Sequence, residues 1–130
     1  MAVRPVCARH LLIYTAMAVS SGVPAAAQYA DPVTLEVANR VGIMRYCTAR
    51  GLATARDVAN ADNVLHNRAT LPPPDQIKAV ENLGEQGTVL AAGQQFMLPD
   101  LAKQQNLSLA DMCGTIASSS AIAAGLIGKE

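Results

Sequence analysis

The sequence predicts an all-α fold, a small helical domain of four to five helices closed by one disulfide. Three observations carry that expectation. Apolar residues recur at three- and four-residue spacing, the period of a helix with one buried face. Asp31-Pro32, Thr54 with Asp57, and Ser108 with Asp111 are helix-start signals ahead of those runs. Cys47 and Cys113 fall on two different predicted helices.

Residues 1–27 read as a cleaved export signal. Arg4, Arg9 and His10 make a basic start, Leu11 to Val19 an apolar core, and Ala25-Ala26-Ala27 a small-residue cleavage site before Gln28. The apolar run falls short of the roughly 20 residues that span a bilayer. Cys7 precedes that run, so it is not the lipidated cysteine that follows one. Cleavage after Ala27 leaves residues 28–130 as a single helical domain in the periplasm or outside the cell, with no stable membrane span.

The first helix opens at Asp31-Pro32, a capping residue followed by a residue suited to the first helical position. Val37, Val41, Met44 and Cys47, with Leu35, Ala38 and Ala49, form its apolar stripe, and Gly51 stops it. Glu36 and Arg40 stand four apart on its outer face. Gly42 costs about 1 kcal/mol relative to Ala in mid-helix, so it marks a close helix contact.

Thr54 opens a second helix, with Asp57 as an imperfect capping box and Val58, Ala61 and Leu65 inward. That helix ends before Leu71-Pro72-Pro73-Pro74, a stiff elbow. Asp75 starts a third, carrying Ile77, Val80 and Leu83 and continuing through Val89 and Leu90, with a bend near Gly84 to Gly87. No strand is expected. Phe96-Met97-Leu98-Pro99 is a turn or the entry to a helix near Pro99, and Leu101 to Asn106 is helical. Ser108 to Asp111 then opens a helix bearing Met112, Cys113 and Ile116. Residues 118–130 are a docked helix or a flexible tail.

Composition narrows the partners. Removing Arg4 and Arg9 leaves eight basic against ten acidic residues, a net charge of −2. That balance argues against nucleic acid and anionic membrane surfaces. Only Tyr29, Tyr46 and Phe96 remain as aromatics, few for a base-stacking platform or a sugar cleft. In an exported chain Cys47 and Cys113 pair as a structural disulfide contributing about 4 kcal/mol in the chain-entropy model. A redox pair would favour C-x-x-C spacing, and a metal site would need more than His66.

No catalytic, cofactor-binding or metal residue is assigned. His66, with Asp62 one turn earlier, reads as a solvated side chain at a helix C-terminus. Asp57 and Asp62 do not share a face, and Arg40, Arg45, Arg50 and Arg56 spiral around their segment instead of lining a patch. Gly84-Glu85-Gln86-Gly87 lacks the Lys-Ser/Thr of a phosphate loop and reads as close helix packing or a bend. Leu101 to Met112 has helix-turn-helix spacing, but Lys103 is its one basic residue.

These readings point to a non-enzymatic binding or interaction protein with a protein partner, its apolar surface being the working part. In outline (small, exported, helical, with one long-range disulfide) the chain is similar to the periplasmic acid-stress chaperones of the HdeA type. That resemblance implies a stress-protective, chaperone-like role. The alternatives are a structural subunit or inhibitor in an envelope complex, its 118–128 segment entering a partner's groove as a helix, and a small enzyme using His66.

Overall fold

The computed structural model describes residues 31–128; the signal reading, residues 1–27, lies outside them. Five helices and one short hairpin make up the fold: α1 Pro32–Ala49, α2 Ala55–His66, α3 Pro74–Glu85, β1 Thr88–Ala91, β2 Gln94–Met97, α4 Leu98–Gln104 and α5 Leu109–Ile127. The mostly helical fold and the disulfide agree with the sequence reading. The hairpin corrects it.

The helix starts follow from local chemistry. Asp31 accepts from the Val33 N–H at 3.2 Å. Thr54 and Asp57 form a complete capping box, the Thr54 N–H reaching the Asp57 carboxylate at 2.8 Å and the Asp57 N–H reaching Thr54 Oγ1 at 3.3 Å. Ser108 and Asp111 repeat the arrangement at the start of α5. A shorter Asp thus completes a box that Glu or Gln more often closes.

α1 is the central helix, and its burial exceeds the one stripe expected. Ile43 and Tyr46 are buried along with Ala38, Val41, Met44 and Cys47. The cause is packing on several sides, against α2, α3, β1 and α5. Gly42 meets α3 where a Cβ would overlap the Glu81 carbonyl. Gly84 meets α1 where a Cβ would overlap the Asn39 carbonyl and the Ile43 N–H. The two glycines let the backbones touch, the close contact that Gly42 implied.

α3 stops at Glu85, so Val89 and Leu90 are not its continuation. They lie in β1, which pairs antiparallel with β2 in the register Val89 to Phe96 and Leu90 to Gln95. The connecting loop is Ala92-Gly93, at φ 50° and 74°. Two residues at positive φ match the right-handed twist of the strands. The bend expected at 84–87 is therefore a helix end leading into a strand.

Asn39 holds the hairpin to α1. Its side chain is 1% exposed, and its amide donates to the Val80 carbonyl at 3.0 Å and the Thr88 carbonyl at 2.9 Å. Its oxygen accepts from the Leu90 N–H at 2.9 Å. Thr88 O and Leu90 N lie on the β1 edge away from β2, so the amide stands where a third strand would pair. Glu36, read as an outer partner for Arg40, accepts from the Ala92 N–H at 2.7 Å and secures the loop.

α5 runs to Ile127, so the described part of the 118–130 segment is helical as far as that residue. Cys47 and Cys113 are both fully buried and joined by a disulfide with Cα atoms 6.0 Å apart, tying α1 to α5.

Three capping carboxylates give the fold an acid limit. Asp31 is held below the usual carboxylate range by the Thr34 hydroxyl, with the Val33 N–H and Arg68 assisting. The Thr54 hydroxyl and N–H do the same for Asp57, and the Ser108 hydroxyl and N–H for Asp111. A carboxyl whose pKa is lower folded than unfolded stabilises the fold above the unfolded value, about 3.9, and that contribution is lost as pH falls through the folded value. The melting temperature is therefore expected to hold from about pH 7 to pH 5 and to fall below about pH 4. A melting profile unchanged down to pH 2 would refute this.

Candidate functional site

Among the described residues, grooves on the α3 and β1 sides and the outer face of α5 bring together groups with functional potential. The larger groove, with a volume of about 590 Å³, lies between the proline elbow, α3 and Arg45. Leu65, Leu71, Pro72 and Ile77 line it together with His66 and Glu81. It brings the lone histidine of the described residues beside carboxylates distant in sequence, the assembly that the enzyme alternative needs. The groups are already engaged, however. Arg45 Nη1 lies 2.9 Å from both Glu81 and Glu85. His66 is bound within its own helix, its Nδ1 2.9 Å from the Asp62 carbonyl and 3.3 Å from the Asp62 carboxylate.

Arg40, Arg45 and Arg50 make separate contacts. Arg45 makes that double ion pair, and Arg50 stacks 3.5 Å over the Tyr46 ring. Arg40 borders the second groove, about 180 Å³, between α1, β1 and Ile116 of α5. Arg68, which the sequence reading passed over, donates to Asp31 at 3.2 Å and Thr34 at 3.3 Å, and ties the end of α2 to the start of α1. Among the described residues no three of His, Cys, Asp or Glu converge as metal ligands would.

α5 is the unusual element. Met112, Cys113 and Ser120 are buried, and Ile116 and Ala117 pack partly against the core. The opposite face carries Gly114, Thr115, Ser118, Ile122, Gly125 and Leu126, all exposed. Ile122 is 67% exposed and Leu126 64%, the two most exposed large apolar side chains among the described residues. No charged residue occurs from Met112 to Gly128. Surface helices ordinarily put charge on their outer face, and this one does not.

The helix has 19 residues and a mean hydropathy of 1.3, long and apolar enough by length and composition to cross a membrane. The short tail considered from sequence has become part of this longer element. Met112, Cys113 and Ser120 are its buried residues and the disulfide ties its first turns to α1, while most of its length is exposed. The charge-free run was readable in the sequence; the side of it that faces outward was not.

No protein-family model, curated protein or solved structure matches this chain.

Proposed function

We propose that the chain is an exported, non-enzymatic interaction protein that docks a protein partner through the outer face of α5. The observation that carries this reading is the exposure of Ile122 and Leu126 on a helix with no charge from Met112 to Gly128. Each is about two thirds exposed, so covering it contributes on the order of 1–2 kcal/mol toward a protein contact. The buried disulfide suits an oxidising compartment, the periplasm or the exterior, and supports the export reading of residues 1–27.

Two forms of docking are open to this face. In the chaperone-like form it holds exposed apolar segments of stressed proteins. In the subunit form it enters a groove of an envelope complex, and the helical geometry of α5 through Ile127 favours this second form by presenting preordered anchors. Replacing Ile122 and Leu126 together by glutamate tests the face. The variant is expected to keep its melting temperature within a few degrees, because both positions are solvent-exposed. It should lose both suppression of client aggregation and retention of partners from its own envelope fraction. Full retention of both activities would refute the reading.

A further inference from the structure

The outer face of α5 is self-complementary in residue size. When a helix packs antiparallel on a copy of itself about a two-fold axis, each residue lies opposite one whose number adds with its own to a constant. Centred at position 120, such a pairing sets Ile122 against Ser118 and Leu126 against Gly114. Gly125 then lies against Thr115. Each exposed large apolar side chain of the helix thus faces a small residue across the axis.

The receiving positions are open. A Cβ at Gly114 or Gly125 would meet no atom within 4 Å, so a side chain from outside has room there. Thr115, Ser118, Ile122 and Gly125 recur at spacings of three, four and three. That is a seam of the kind two helices share at a shallow crossing angle.

Electrostatics agree. A face without charge from Met112 to Gly128 meets no repulsion from its own copy, and antiparallel helices place opposite macrodipole ends together. A lipid surface fits less well. A helix that lies on a membrane surface carries Lys or Arg beside its apolar face, and α5 has none between Leu109 and Ile127. On its own copy, the small half of the face (Gly114, Thr115, Ser118) lies opposite the half that carries Ile122 and Leu126.

We infer that the partner of this face is a second copy of the chain, forming a two-fold dimer by antiparallel α5–α5 packing centred near residue 120. The inference rests on the docking reading and names the occupant.

Sedimentation of the mature, oxidised protein over a range of concentrations tests it. The wild type is expected to pass from monomer to dimer, and Ile122→Glu to weaken the dimer by at least about tenfold, with an unchanged far-UV spectrum. Gly114→Leu fills the space that Leu126 of the partner would enter. It should weaken dimerisation while holding or raising the melting temperature of the monomer, since it replaces an unencumbered helical glycine. Adding Leu126→Ala to Gly114→Leu should restore at least part of the dimer.

Self-association is overturned by a wild type that stays monomeric, by a dimer indifferent to Ile122→Glu, or by a double variant no tighter than Gly114→Leu alone. A monomeric wild type that binds phosphatidylcholine vesicles would overturn it in favour of a lipid surface. If the wild type is monomeric and Ile122→Glu still loses its protein partner, docking stands without self-association. If that variant keeps the partner as well, both fall.

Discussion

Replacing Cys47 and Cys113 together by alanine is expected to lower the unfolding free energy by about 4 kcal/mol. The cross-link joins residues 66 apart in sequence, and closing so long a loop removes much of the entropy of the unfolded chain. Domains of this size are stable by about 5–15 kcal/mol, so the loss takes a large share of the total. Both sulfurs are fully buried, and their removal adds a small packing defect. Urea unfolding of the double variant beside the oxidised and reduced wild type is the measurement. The variant and the reduced protein should unfold at similar, lower urea concentrations. A change under about 1 kcal/mol would show that the rest of the fold constrains the chain unaided.

Gly42→Ala is expected to be nearly as damaging, at about 3 kcal/mol, which for a domain of this size corresponds to a fall in melting temperature of roughly 15 °C. The added methyl meets the carbonyl and Cα of Glu81. These are backbone atoms that cannot rotate away, so α1 and α3 must separate. Gly84→Ala strikes the same crossing from the other side, against Asn39 and Ile43, and the two effects should not add because they open one contact. Thermal unfolding of Gly42→Ala beside Gly114→Ala gives the comparison. The second glycine has no neighbour in reach, and its replacement should stabilise by up to about 1 kcal/mol. Equal responses at the two positions would refute the crossing as the cause.

Gly42 also illustrates what the sequence could reveal. A glycine in the middle of a periodic apolar run signals a close neighbour, because its helical cost needs an offset. It does not identify Gly84 as part of that neighbour. Helix starts were legible for a similar local reason, since Asp31, Thr54 and Ser108 act on N–H groups two or three residues away.

The hairpin was not legible. Val89 and Leu90 extend the spacing of Ile77, Val80 and Leu83, and Ala92-Gly93 lacks the Asn or Asp that usually marks such a loop. Asn39 passed unnoticed because its bonding partners lie 41, 49 and 51 residues away. The candidate site was half legible. The charge-free stretch of α5 is plain in the sequence, but its outward side depends on how Cys113 and Ser120 turn the helix against the core.

The cross-link also sets how far the molecule can be drawn out. With Cys47 and Cys113 joined, tension between Asp31 and Gly128 bypasses residues 48–112 and stretches the two flanking segments alone. The extended length between those points is then about 110 Å, against about 330 Å for the reduced chain. Whatever pulls on α5 therefore pulls directly on α1, while α2, α3, the hairpin and α4 ride inside a closed covalent loop.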